Sequence, residues 1–154
     1  MADQMYKGGM DALVQGLLET TPDIRLMLVM SGFTGIFGGG EEDAVNLADF
    51  AVIDEFDGIG YVQIDCTTVV FAYDATSNEY RLTFDADEFN APAGTVAAAS
   101  DDAIGILAYL YVDGTDANDI AIGFTDSGGF PINAANGALA YTPHANGMMF
   151  LRQA

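Results

Sequence analysis

The sequence predicts a mainly β domain, a jelly-roll-like β-sandwich of about eight strands with one N-terminal α-helix. Three observations predict it. From residue 60 onward, runs of strand length rich in Val, Ile, Tyr and Phe are punctuated by Gly, Pro, Asn and Asp. Two Asn-Gly pairs, Asn136-Gly137 and Asn146-Gly147, mark hairpin turns close to the end of the chain. Alternation of strand and helix, the mark of a doubly wound α/β fold, is missing. The 154 residues suit a single domain, with an N-terminal helical arm at 1–22 and the sandwich at 23–154.

Residues 3–19 have helical spacing. Met5 or Tyr6, Met10, Leu13, Val14, Leu17 and Leu18 form one apolar stripe, and Asp3 is placed to cap it. Gly8, Gly9 and Gly16 each weaken a helix by up to about 1 kcal/mol relative to Ala. Such a helix needs its own sheet or a neighbouring subunit to pack on. Thr20-Thr21-Pro22 ends it. Ile24–Met30 is a continuous apolar run of the length of a buried strand. Residues 31–43, with three consecutive glycines followed by acids, read as a long flexible loop. It is not a phosphate-binding loop: Glu41 and Glu42 stand where Lys and Ser or Thr are needed. Residues 47–52 fit a short helix or an irregular edge.

Strands follow at 60–65 and 67–73, and 74–78 is a turn. Residues 79–84 alternate, with Tyr80, Leu82 and Phe84 on the core face. Residues 85–100 are irregular. Residues 103–112 form a long apolar run, a central strand, followed by a turn at 113–118. Residues 119–125 alternate again, so Ile120, Ile122 and Phe124 face the core. After a loop at Gly128, Gly129 and Pro131, the Asn-Gly pairs introduce strands at 138–142 and 148–152.

Twenty-three acidic side chains face only Lys7, Arg25, Arg81 and Arg152, a net charge of −19. Nucleic-acid binders neutralise phosphates with Lys and Arg, so DNA, RNA and anionic membranes are excluded as partners. The charge serves solubility. It also fits a saline, halophilic setting, because at about 1 M salt the Debye length falls to roughly 3 Å and self-repulsion is screened. Residues 1–10 lack the basic and apolar regions of a signal peptide, and the longest apolar stretch is too short to span a bilayer. Cys66 is alone, which excludes an intrachain disulfide and a cysteine zinc site; its place in a strand gives it a buried apolar role.

The search for chemistry yields no constellation. His144, the single histidine, lies in a turn, and a G-x-S-x-G elbow is missing. Paired carboxylates carry no weight among so many acids. Two acidic clusters could offer oxygens to calcium: Asp85, Asp87 and Glu88, and Asp113, Asp116 and Asp119 with Asn118 nearby. Neither fits the EF-hand loop, and both read as solvated turns. No catalytic, cofactor-binding or metal-ligating residue is assigned, and an enzyme is not expected. Met1, Met5 and Met10 either fill the core or give the N-terminal helix an adaptable contact surface.

One resemblance spans nearly the whole chain. Met5-Tyr6-Lys7-Gly8-Gly9 leads through a Thr21-Pro22-Asp23 break into the Ile24–Met30 strand. Gly58-Ile59-Gly60-Tyr61-Val62 follows later. Phe130-Pro131-Ile132-Asn133 precedes the glycine-rich ending, Asn146-Gly147-Met148-Met149-Phe150-Leu151-Arg152. This order resembles a family of small structural proteins of tailed phages and related prokaryotic tailed viruses. Gly9, where Leu is common, and the acidity depart from the family's pattern. The resemblance implies a non-enzymatic virion protein in many copies on the outer surface of the particle, assembled in the host cytoplasm. A capsid decoration (cement) protein is the first choice, and a collar, tail or fibre component the second. The implied partners are the chain itself, as a trimer or another small symmetric oligomer, and the major capsid protein or another virion protein. The alternative from another class is a glycan- or calcium-binding β-sandwich module.

Overall fold

In a computed structural model of the chain, an unbroken apolar run becomes the middle of a sheet. The structure describes residues 4–16, 22–36, 39–76, 79–85, 88–89, 95–126, 129–132, 139–141 and 149–152. In chain order the elements are β1 (Gln4–Met5), α1 (Lys7–Val14), β2 (Ile24–Met30), a 3-10 turn at Leu47–Asp49, β3 (Ile64–Asp65), β4 (Thr67–Asp74), β5 (Glu79–Asp85), β6 (Ala103–Leu110), β7 (Ile120–Thr125) and β8 (Met149–Arg152). The fold is mainly β with one short helix, and every strand pairing is antiparallel. One sheet has five strands in the order β1-β7-β6-β2-β3, the other three in the order β4-β5-β8. No helix among the described residues is long and apolar enough to cross a membrane.

The apolar runs of β2 and β6 follow from burial on both faces. On one face, Leu26, Leu28 and Ile106 join a core cluster with Leu82 and Phe84 of β5. On the other, Met27, Val29, Leu107 and Tyr109 pack under Tyr6, Phe33, Leu47 and Phe50. Each large side chain fully buried in these layers stabilises the fold by roughly 1.5–3 kcal/mol before entropy is counted. The covering layer is built from the segment between β2 and β3. Its edge-to-face rings, Tyr6 on Phe50 at 5.0 Å and Phe33 on Phe50 at 5.2 Å, are the offset arrangements that aromatic quadrupoles favour.

Several sequence expectations change. Of the helix expected over 3–19, the described residues form Lys7–Val14, and Gln4 and Met5 pair with Phe124 and Gly123 of β7 instead. Tyr6 is fully buried, and its backbone N–H donates to Ile122 O at 2.8 Å. The first N–H groups of α1, on Lys7 and Gly8, donate to Glu42 O at 3.2 Å and Ala44 O at 2.9 Å, bonds that a first helical turn would otherwise leave unmade. Leu17 and Leu18 lie outside the described residues. The described residues of 31–43 form no regular element, as expected, yet Phe33 is buried and the Tyr6 hydroxyl donates to Gly35 O. Of the strand expected at 60–65 only Ile64–Asp65 remains. The rest turns at Gly58–Tyr61, with Gly60 at φ 90°, a left-handed conformation that glycine adopts freely. Residues 47–52 hold the 3-10 turn. Of the strand expected at 138–142, residues 139–141 are described, and Ala140 makes an isolated bridge to Glu88. Both Asn-Gly pairs lie outside the described residues.

The core-facing expectation holds for Leu82, Phe84 and Ile122, which are buried, and Ile120 is packed against the same cluster. The Tyr80 side chain lies outside the described part. Phe124 is buried too, but on the opposite face, in the layer under Phe33. The cause is a register shift between Ala108 and Tyr109: Ala108 pairs with Gly123, whereas Tyr109 pairs with Ala121. Ile122 is the extra residue of a β-bulge, and one extra residue inverts the alternation beyond it.

Candidate functional site

The second face of the large sheet is left open near the start of β2 and the end of β6, where a cleft of about 370 Å³ forms. Its walls come from residues that the pleat brings to one face. Arg25 is the register partner of both Tyr109 on β6 and Asp65 on β3. The Arg25 guanidinium lies 3.4 Å from the Tyr111 ring centroid. Its Nε is 2.9 Å from an Asp65 carboxylate oxygen and 3.5 Å from one of Asp23. Stacking plus flanking carboxylates fixes the plane of the guanidinium.

Across the cleft runs a chain of hydrogen bonds. The Tyr109 hydroxyl donates to Gln63 Oε1, and Gln63 Nε2 donates to Glu55 Oε1 at 2.9 Å. Burial pushes the Tyr109 phenol up to about 12, against the lowering effect of Arg25. At neutral pH the phenol is therefore protonated and donates. Ile53 supplies apolar surface in the same cleft, and the buried Met27 and Leu47 back it.

The far wall is the acidic turn. Asp119 is only 3% exposed, and its Oδ1 accepts backbone N–H groups from Val112 at 2.8 Å, Asp113 at 3.2 Å and Gly114 at 3.3 Å. Asp113 accepts from the Thr115 hydroxyl at 2.7 Å, the Thr115 N–H at 2.9 Å and Asn118 Nδ2 at 2.7 Å. These bonds from Thr115 and Asn118 hold its carboxyl below the ordinary range. The carbonyls of Asp119 and Asp116 accept N–H groups of Leu47 and Ala48, at 3.0 and 2.9 Å, so the turn also anchors the covering segment. Oxygens that the sequence offers to calcium are thus spent on pinning the turn, as Asx-type acceptors do. Among the described residues no three His, Cys, Asp or Glu side chains are grouped to hold a metal ion. Of the other acidic cluster, Asp85 and Glu88 are described; Asp87 lies outside, as does His144.

Sequence reasoning singled out the turn and missed the cleft. A signal was present: Arg25 interrupts an otherwise apolar strand, and Tyr109 and Tyr111 recur at period two in the apolar run 103–112. Gln63 and Glu55 carried none, because irregular segments bring them there. The Cys66 thiol is pushed up to about 12, first by burial and then by Asp65 and Asp23, which leaves it protonated and unreactive at neutral pH.

Three glycines of the sequence motifs are closed in by neighbouring backbone. A Cβ on Gly8 would overlap Val45 O and stand 2.8 Å from Ala121 O, and one on Gly9 would stand 2.7 Å from Ile122 O. Gly58 is likewise closed in, 2.5 Å from Ala97 O and from the Phe56 ring. No protein-family profile, no curated protein and no solved structure matches this chain.

Proposed function

We propose that the chain is a non-enzymatic structural protein of a tailed-virus particle, a capsid decoration protein on the outer surface of the head. One observation carries the reading. Several of the described residues behind the resemblance to tailed-virus structural proteins do packing work. Tyr6 is buried at the strand-to-helix junction, Gly8, Gly9 and Gly58 permit close backbone approach, and Ile24–Met30 is an interior strand of the large sheet, between β6 and β3. A motif set in which these members build the fold suits a protein that acts by its surface and in many copies.

The finer fold belongs to the same proposal: a jelly-roll-like sandwich in which the β4-β5-β8 sheet covers the large one. The core cluster shared by Leu26, Leu28, Leu82 and Phe84 supports it. The charge of −19 favours the outside of a DNA-filled shell, since packaged phosphate repels an acidic inner layer. The partners in this reading are further copies of the chain, as a trimer or another small closed oligomer, and the major capsid protein. Cryo-electron microscopy of purified particles tests it, with mass spectrometry for copy number. The expected result is the chain at symmetric positions on the head exterior. Density at the collar, tail or fibre overturns the decoration assignment, and absence from the particle overturns the virion role.

A further inference from the structure

We propose that the cleft between β2, β6 and the Ile53–Glu55 segment binds one residue of a neutral saccharide. The proposal stands apart from the virion role, since it rests on the lining of the cleft alone. At about 370 Å³ the cleft falls at the lower end of small-molecule sites, the size of a single sugar ring.

Its chemistry sorts the ligand classes. Residues of both signs line it, Arg25 together with Glu55, Asp116 and Asp119. A simple anion meets those carboxylates and the field of a −19 molecule. A simple cation meets Arg25, which already occupies one face of Tyr111 at 3.4 Å. A purely apolar ligand would strip water from charged groups without replacing their hydrogen bonds. A neutral polyol avoids all three penalties, because each hydroxyl both donates and accepts.

The geometry favours the polyol as well. Gln63 links Tyr109 to Glu55 through one acceptor bond and one donor bond. An amide has two N–H groups and two acceptor sites, and a carboxylate about four acceptor sites, so capacity for vicinal hydroxyls is left at both residues. Ile53, only partly buried, provides apolar surface for the C–H face of a pyranose. The hydrogen-bonded chain fixes the polar groups before the ligand arrives, which cuts the ordering cost of binding.

The test is a 15N–1H NMR titration of the full chain with the methyl glycosides of glucose, galactose, mannose and N-acetylglucosamine, each to about 50 mM, high enough to detect millimolar affinity. Glucosamine and glucuronate serve as the cationic and anionic controls. The expected result is saturable shifts from at least one neutral glycoside, mapping to amides near Glu55, Gln63, Tyr111 and Gly114. Gln63→Met should weaken that binding by about tenfold and Tyr109→Phe by about fivefold, as loss of one hydrogen bond predicts. Tyr109→Phe keeps the ring that fills the layer, so it stays informative if Gln63→Met does not fold. No saturable shift from any neutral glycoside, shifts mapping elsewhere, binding untouched by both substitutions, or tighter binding of either charged sugar would each overturn the proposal. None of these outcomes bears on whether the chain is found in a particle.

Discussion

Thr68 sits in the register shift between Thr67 and Val70 on β4, with φ at 53°. A β-branched residue there is strained by roughly 1–3 kcal/mol. Glycine adopts the conformation freely but gives up about 0.5–1 kcal/mol of unfolded-chain entropy. Because Thr68 is exposed, little packing is lost. Thr68→Gly should therefore stabilise the protein by about 1 kcal/mol, read as a higher urea midpoint at unchanged slope; a lower midpoint would contradict the strain. Cys66 gives a second residue-scale prediction. Raising a thiol from 9.0 to about 12 removes about a thousandfold of its thiolate at pH 8. Alkylation by iodoacetamide at pH 8 should be two to three orders of magnitude slower in the native protein than in urea. The sign for stability follows. The folded state holds this proton more tightly than the unfolded chain does. The stabilisation is therefore full below pH 9 and is lost as the pH rises toward 12, a loss to which the raised Tyr109 phenol adds.

At the scale of elements, α1 sets propensity against packing. Gly8→Ala would favour an isolated helix by about 1 kcal/mol. In the fold the added methyl collides with backbone, Val45 O and Ala121 O, which cannot swing aside as a side chain can. Overpacking of this kind costs about 1–3 kcal/mol or more, so packing wins and the variant should lose about 2 kcal/mol. Thermal and urea unfolding check it, and a stabilised Gly8→Ala would mean that α1 does not lie against β7. The bulges act at the same scale. At Gly105, opposite Val29, a Cβ would stand 2.5 Å from the Phe124 ring. The bulge at Ile122 turns Phe124 toward that site. The glycine on β6 and the inverted aromatic on β7 fit one another, and neither is explained by its own strand.

For the whole molecule the dominant quantity is charge. With −19 on 154 residues, repulsion opposes both the compact state and contact between copies. Described cations are already flanked: Lys7 by Asp11, and Arg25 by Asp23 and Asp65. Exposed pairs of this kind contribute little, so they do not offset the general repulsion. The melting temperature and any self-association should rise between about 0.1 M and 1 M NaCl, as the Debye length falls from roughly 10 Å to 3 Å. Sodium sulfate should add to the gain by strengthening apolar burial. The absence of a metal cluster among the described residues makes low millimolar calcium a weak stabiliser next to 1 M NaCl; a large calcium effect would point to sites outside them. A melting temperature flat across the NaCl range would remove the self-repulsion argument and the saline setting with it.

The sequence by itself determined the mainly β class and the positions of β2, β4, β5, β6 and β7 to within a residue or two. Those strands are continuous or alternating apolar runs, and burial of such runs is a local, periodic signal. It also determined the charge, whose consequences need no coordinates. Only the tertiary structure decided the rest. A two-residue strand at Gln4–Met5 exists because β7 offers an edge, and the glycines of α1 matter because Val45 and Ile122 lie beneath them. The face of Phe124 depends on a bulge that one residue of slippage against β6 creates. The cleft joins Arg25, Glu55, Gln63 and Tyr109 from segments far apart in the chain. Contacts of that kind are fixed by which surfaces meet after the strands have formed, and no window of sequence holds both sides of the contact.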